Sequence, residues 1–265
     1  MELIEKYLKN IGIKNQIQDI SDINTLIKKH LQSLYFCNIP VLLGEEVLLD
    51  LDAIFEKMLV RKKGGYCFEH NKLIYEALKY FGFEVLPLFA RVLNNQKIDV
   101  PKTHRLTLLM HHDEMYLVDA GFSFMSPNSA IKFGKTPTKT LFEREYIIKK
   151  RDANNYELVM MRHDGPFILY AFDLSACNEK DFEMGNFYSS KHKNANFVNN
   201  LVLSKITDEK ICSLKNNSYH EISKESTDVK TINSQEELIA LLRDEFDYAL
   251  SDEQITYLFE KFIKE

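Results

Sequence analysis

Apolar residues recur at helical spacing through the first third of the chain. Ile4, Tyr7, Leu8 and Ile11 form one stripe, and Ile23, Leu26, Ile27, Leu31 and Leu34 form a second from about Asp22. Pro40 and Gly44 break this pattern, and a short third helix is predicted from Leu51 to Val60. After the Gly64-Gly65 turn, Phe68, Leu73, Ile74, Ala77, Leu78 and Phe81 predict a helix from about Cys67 to Tyr80, with Gly82 at its C′ position. The period then changes. Val85–Leu93, His104–Met110, Met115–Val118, Tyr146–Lys149, Tyr156–Met161 and Phe167–Asp173 are rich in β-branched and aliphatic residues and read as strands. His112-Asp113-Glu114 and Asp152–Asn155 read as hairpin loops, so an antiparallel barrel or curved sheet is predicted. Asn194 to Asn200 is polar and reads as a loop, followed by strands around Leu201–Ile206 and Lys210–Leu214. Two helices close the chain, with possible capping boxes at Ser234/Glu237 and Ser251/Gln254.

Composition narrows the class. With 265 residues, 45% of them hydrophobic, the chain buries a large core without disulfide or metal staples. Only 9 Gly and 6 Pro exclude collagen-like and low-complexity chains. No apolar run approaches the ~18 residues that a membrane span needs. The acidic start Met-Glu-Leu-Ile-Glu-Lys is unlike a signal peptide, which points to the cytoplasm and reduced thiols. A net charge of −5 is the wrong sign for a protein that holds nucleic acid by its phosphates. Cys37, Cys67, Cys177 and Cys212 are widely spaced with no CxxC pair, so neither a disulfide scaffold nor a metal site is expected.

One thiol stands in a chemically useful place. Cys67 follows Lys63-Gly64-Gly65-Tyr66 and falls at a predicted helix N-terminus. Free N–H groups and the helix dipole there lower a thiol pKa and can line an oxyanion hole. The competing reading is a small buried hydrophobe. A nucleophilic thiol needs a base and the base an orienter. His104 opens one predicted strand and Asp119 closes the next, so a hairpin puts them at the same end, in adjacent strands about 4.8 Å apart. A structural salt bridge or a turn aspartate is the alternative for that pair. His111 and His112 lie in the turn, and the remaining histidines show no partner pattern.

The stretch Arg61-Lys62-Lys63-Gly64-Gly65-Tyr66-Cys67-Phe68-Glu69-His70-Asn71 resembles the Arg-Gly-Gly-aromatic-Cys-x-Glu-x-Asn signature of arylamine N-acetyltransferases. Ala90-Arg91-Val92, His104-Arg105-Leu106 and Leu117-Val118-Asp119-Ala120-Gly121-Phe122 follow in that family's order. The resemblance implies an α+β fold with a thiol-protease-like catalytic core. Residues 1–83 are expected to be an N-terminal helical domain, residues 84–185 a central antiparallel β-barrel, and residues 186–265 a C-terminal α/β lid. It implies a Cys67–His104–Asp119 triad and ping-pong acetyl transfer from acetyl-CoA to an arylamine, arylhydroxylamine or hydrazine, with no metal. Phe36, Val92 and Phe122 are the implied acceptor-pocket residues, and Gly121, Ser123, Ser190 and Lys191 the implied CoA contacts. No nucleic acid or membrane partner is expected.

The chain departs from the family pattern at several positions. Tyr35-Phe36-Cys37-Asn38 stands where Pro-Phe-Glu-Asn is usual, and Lys63 replaces the arginine before Gly-Gly. These read as one relaxed acid–arginine pair, with Cys37 a second thiol near the pocket. Gly121-Phe122-Ser123 replaces Gly-Phe-Gly, and the side chain at Ser123 narrows the acetyl or pantetheine route. Asn186 to Lys193 carries lysines in a stretch that reads either as a solvated basic loop or as CoA-phosphate contacts through Lys191 or Lys193. The alternatives are a Cys-His-Asp hydrolase or transglutaminase, an amide synthase using another acyl donor, and a non-catalytic binding module.

Overall fold

Helices fill the first third of the computed structural model, which describes residues 2–264. In chain order these are α1 (Glu2–Asn10), α2 (Ile20–Ser33), a two-residue strand β1 (Phe36–Cys37), α3 (Ile39–Leu42), α4 (Leu51–Phe55) and α5 (Cys67–Tyr80). A capping box between Asp19 and Asp22 starts α2. The helix predicted from Leu51 to Val60 is α-helical only to Phe55 and continues as a π-turn over Glu56–Val60. α5 has the predicted bounds, and Gly82 follows it with φ of 84°.

The middle third is β2 (Glu84–Val92), β3 (His104–His111), β4 (Glu114–Val118), β5 (Ile131–Lys132), β6 (Thr138–Lys139), β7 (Glu145–Lys150), β8 (Asn155–Arg162) and β9 (Gly165–Asp173). They form one antiparallel sheet in the order β5-β4-β3-β2-β9-β8-β7-β6, and the sheet curls into a nearly closed barrel. Leu88, Leu106, Leu108, Tyr146, Leu158 and Tyr170 fill its interior. The β3–β4 turn consists of His112 and Asp113, with φ of 49° and 61°. Two consecutive positive φ values match the twist of a tight hairpin.

The last third begins with α6 (Glu179–Lys191) and α7 (Asn196–Asn199). Then come β10 (Val202–Ile206), β11 (Ile211–Lys215), β12 (Ser218–Ile222), β13 (Thr227–Thr231), α8 (Gln235–Phe246) and α9 (Asp252–Leu258). The second sheet has the order β1-β10-β11-β12-β13, so a strand from the helical third is its edge, with Phe36 opposite Ser204.

Three readings change. The stretch from Asn186, expected to be open to a loop reading, is the second half of α6 down to Lys191, and the segment boundary at residue 186 falls inside this helix. Its inward face is Phe182, Gly185, Asn186, Ser189 and Ser190, so small and polar residues leave no apolar period to read. Asn194 to Asn200 holds the short helix α7, whose carbonyl at Ala195 accepts from the Asn199 amide. β12 and β13 lie outside the predicted strands; β13 is exposed along its whole length and carries no alternation.

α1, α2 and α5 pack through an apolar core crossed by one buried polar chain. The Tyr7 hydroxyl meets His30 Nδ1 at 2.7 Å, His30 Nε2 meets His70 Nδ1 at 2.7 Å, and His70 Nε2 reaches the Tyr35 carbonyl at 3.2 Å. Because the last group only accepts, one arrangement satisfies every atom, with each ring neutral and donating onward. Burial holds His30 well below the ordinary histidine range, and it pushes His70 down to about 4. Unfolded histidines titrate near ~6.5, so between roughly pH 4 and 6.5 the unfolded chain binds more protons. This stabilisation is therefore complete above about pH 6.5 and is lost as pH falls toward 4. Thermal unfolding measured from pH 7 to pH 4 should show a falling Tm, with a flatter profile in His70→Gln. An identical slope in that variant would contradict the assignment.

Candidate active site

The N-terminal turn of α5 is fixed before any catalytic group is considered. Glu69, fully buried, accepts the Tyr66 N–H at 3.0 Å and the Lys57 ammonium at 2.8 and 2.9 Å. The carboxylate thus caps the helix that Cys67 begins, and its charge is paired by a lysine from the preceding π-turn. A buried carboxylate with no partner would be expensive. Nothing in the spacing of Lys57 revealed this pair, since it lies outside the signature.

Cys67 is buried, and its Sγ lies 3.6 Å from the carbonyl of Thr103, the residue before β3. His104, the first residue of β3, puts Nε2 2.8 Å from Asp119 Oδ2. The expected contact between the two strand ends is therefore made. Asp119 is also buried, and three further donors surround it: Asn71 Nδ2 at 2.9 Å, the Tyr170 hydroxyl at 2.9 Å and the Gly121 N–H at 2.9 Å. Burial by itself would raise the Asp119 pKa. The facing His104 charge and the hydrogen bonds from His104, Asn71 and Gly121 outweigh it, and the carboxyl lies below its usual range.

Asn71 does more than cap a charge. Its amide also donates to the Arg105 carbonyl at 2.6 Å, and its oxygen accepts the Ala120 N–H at 2.9 Å. Asn71 sits four residues after Cys67, which puts both side chains on one face of α5. That spacing was visible in the sequence. Tyr170 on β9, fifty-one residues from Asp119, left no such signal.

The thiol behaves unlike the simple helix-terminus picture. Burial and the nearby Asp119 charge push the Cys67 pKa up, and the N–H groups of Phe68 and Arg105 pull it down less strongly. A lone thiolate is therefore disfavoured here, and ionisation requires a proton acceptor alongside.

Phe122 stands edge-on to His104 with centroids 5.0 Å apart, and Tyr170 lies 5.1 Å from the same ring. Val92 on β2 is half-buried beside the same barrel core, opposite Tyr170 in the β2–β9 pairing. Phe36 is separate from these: it stacks parallel to His70 at 6.2 Å and faces a small cavity that Ala120, Ser123, Ser126 and Ser204 also line.

A family model described as N-acetyltransferase matches residues 19–255. The chain is 30% identical over 210 residues to the arylamine N-acetyltransferase of Mycolicibacterium smegmatis, covering 77% of this chain and 76% of that protein. The chain belongs to the arylamine N-acetyltransferase family. It is also 28% identical over 237 residues to the arylamine N-acetyltransferase of Escherichia coli (strain K12), covering 88% of this chain and 84% of that one. The arylamine N-acetyltransferase structure from Salmonella typhimurium superposes with a TM-score of 0.90 at 25% identity, covering 99% of each chain. The Mycobacterium marinum arylamine N-acetyltransferase solved in complex with CoA superposes at 0.89 and 23% identity, covering 99% and 100%.

Against this family the departures acquire a geometry. Lys63 turns its ammonium to Glu45 at 2.9 Å. Cys37 packs beside Gly64, where an added Cβ would come within 2.8 Å of the Cys37 Cβ. Successive strand residues face opposite ways, so with Phe36 toward the cavity, Cys37 turns into the C-terminal core with Leu201 and Leu203. Its thiol is pushed up to about 12 by burial, and its Sγ accepts the Ile39 N–H at 3.4 Å. Ser190 donates its hydroxyl to the Asn186 carbonyl inside α6, and Lys191 is exposed at the helix end. Among the described residues, Cys212, Glu221 and Glu245 are spaced as metal ligands, but Lys210 bridges the two carboxylates at 2.8 and 2.9 Å. No helix among the described residues is long and apolar enough to cross a membrane.

Gly121 leaves no room for a side chain between the Asp119 loop and α5. An added Cβ would lie 2.7 Å from Asn71 Nδ2 and 2.8 Å from the Cys67 Cα. Gly121→Ala must therefore push the Asp119 loop away from α5. Misplacement of a reacting group by about 1 Å costs on the order of 100-fold in rate, so a loss of that size in acetyl transfer is expected with near-wild-type circular dichroism. Full activity in this variant would contradict the packing described.

Proposed function

We propose that Cys67, His104 and Asp119 form a catalytic triad that carries an acetyl group from acetyl-CoA to an arylamine, arylhydroxylamine or hydrazine. The observation that carries this reading is the orientation of His104. Its Nε2 is committed to Asp119 at 2.8 Å, which leaves Nδ1 for the thiol held against Thr103.

In the first half-reaction, the Cys67 proton passes to His104 as sulfur attacks the thioester carbonyl. The tetrahedral adduct collapses, the C–S bond to CoA breaks, and the imidazolium proton goes to the departing thiolate. In the second, the amine nitrogen attacks acetyl-Cys67, His104 takes a proton from that nitrogen, and Cys67 leaves as thiolate. Asp119 stabilises the imidazolium that forms in both halves. Aromatic amines of low basicity are neutral near pH 7, so they attack without prior deprotonation.

Burial supports acyl transfer over hydrolysis. Cys67 is 3% exposed and His104 1%, and exclusion of water protects a thioester intermediate. The Mycobacterium marinum relative in complex with CoA supports CoA as the carrier. Phe36, Val92 and Phe122 are assigned to the acceptor side, and Gly121 with Lys191 to the CoA side. The four cysteines are free, and a working thiol nucleophile fits the reducing cytoplasm.

Intact mass spectrometry after acetyl-CoA alone tests the reaction type. Wild type should gain one acetyl group and lose it on addition of an aromatic amine or hydrazine, and Cys67→Ser should gain none. An unmodified wild-type protein, or a Cys67→Ser protein that still takes up acetyl, would contradict the proposal.

A further inference from the structure

Ser123 holds a backbone conformation that its side chain disfavours. Its φ is 54°, in the left-handed region that glycine enters freely and L side chains rarely adopt. The family pattern usually has glycine there, so this side chain is kept against a local preference. Its hydroxyl meets the Ser204 hydroxyl at 2.9 Å. Ser204 is 2% exposed on β10, directly opposite Phe36, and paired residues in adjacent strands share a face. The pair therefore joins the Asp119–Ser126 loop to the C-terminal sheet on the side that Phe36 occupies.

These residues, with Ser126, His70 and Ala120, line a cavity of about 10 Å³, room for roughly one water. Its hydroxyls are only partly used. Ser126 Oγ accepts the Phe122 N–H at 2.6 Å, a bond that does not use its own proton. The Ser123–Ser204 contact uses one of two hydroxyl protons. A hydroxyl carries one donor and two acceptor sites, so the cavity offers both donors and acceptors to one incoming oxygen. The Ala120–Gly121 segment beside it abuts the Cys67 backbone, and Phe36 belongs to the acceptor side.

We propose that the Ser123–Ser204 pair closes the inner end of the acceptor pocket and selects arylamines with a small hydrogen-bonding para substituent, the aminophenol class. This rests on the acetyl-transfer reading above. A phenolic oxygen fills the space of about one water that the cavity offers. A methyl group of similar size leaves the hydroxyls unpaired, and a longer para chain meets the Ser123 side chain.

The test is the ratio of kcat/KM values for two acceptors at fixed acetyl-CoA. In a ping-pong reaction that ratio reports only the acceptor half-reaction. Comparing each variant with wild type also cancels intrinsic nucleophilicity. For para-aminophenol against para-toluidine, Ser204→Ala should lower the preference by about tenfold or more, since a site built to hydrogen-bond a hydroxyl rejects analogues that lack it. For para-butoxyaniline against para-aminophenol, Ser123→Gly should raise the ratio by about tenfold. Glycine suits the positive φ, so this variant should keep or raise Tm. Both ratios staying within about twofold of wild type would overturn the proposal. So would a change confined to kcat/KM for acetyl-CoA, which would put the serines on the donor side. A wild-type protein that takes no acetyl group by intact mass would instead remove the reading on which the proposal stands.

Discussion

The buried carboxylate of Asp119 is the interaction on which the site depends. A charge at 1% exposure persists only if its oxygens are satisfied, because desolvation otherwise drives it neutral. Here its partners come from separate parts of the chain: Asn71 from α5, His104 from β3, Tyr170 from β9 and the Gly121 N–H from its own loop. The helical third and the barrel can meet this demand only when they are docked in one register. The same contacts that make the ion tolerable therefore fix His104 and bring the helix that Cys67 begins against it. Removing one partner of such an arrangement typically destabilises by about 3–5 kcal/mol, a penalty that favours one docking geometry over its neighbours.

A second tie works beside the first. Arg105, the residue after His104, is fully buried and gives two 2.9 Å hydrogen bonds to Glu179 at the start of α6. Its guanidinium lies 4.2 Å from the Phe182 ring centroid, and Lys72 on α5 reaches the same Glu179 at 3.0 Å. β3 thus points one side chain to Asp119 and the next to the helix that opens the C-terminal third. With β1 sewn onto β10, all three parts of the chain converge on the turn that carries Cys67. The result is a thiol whose own surroundings oppose its ionisation, so that the proposed reactivity is conditional on the His104–Asp119 pair.

The sequence carried the local parts of this arrangement well. The Gly-Gly turn, the apolar stripe of α5 and Gly82 together defined that helix, and β-branched and aliphatic runs marked the barrel strands. His104 and Asp119 were placed at one end of a hairpin by strand order alone, which the 2.8 Å contact matches. α6 was missed because its buried face is built from glycine, asparagine and serines, which give no hydrophobic period. The Lys57–Glu69 and Tyr170–Asp119 contacts were missed for a different reason: each depends on how elements dock, and neither partner sits in a motif with its mate. Helix-terminus chemistry counts the N–H groups and the dipole, but not the burial and the Asp119 charge that oppose them at a lone Cys67 thiolate.

The central claim is that Asp119, acting through His104, makes a buried thiol ionisable. The pH profile of Cys67 alkylation by iodoacetamide in the absence of substrate, read by peptide mapping, tests it most directly. The account predicts that wild-type Cys67 reacts with an apparent midpoint below the ~8.5 of a free thiol. It also predicts that Asp119→Asn, which keeps the volume and loses the charge, moves that midpoint above the free-thiol value. Superimposable profiles for the two proteins, both at or above the free-thiol midpoint, would contradict it.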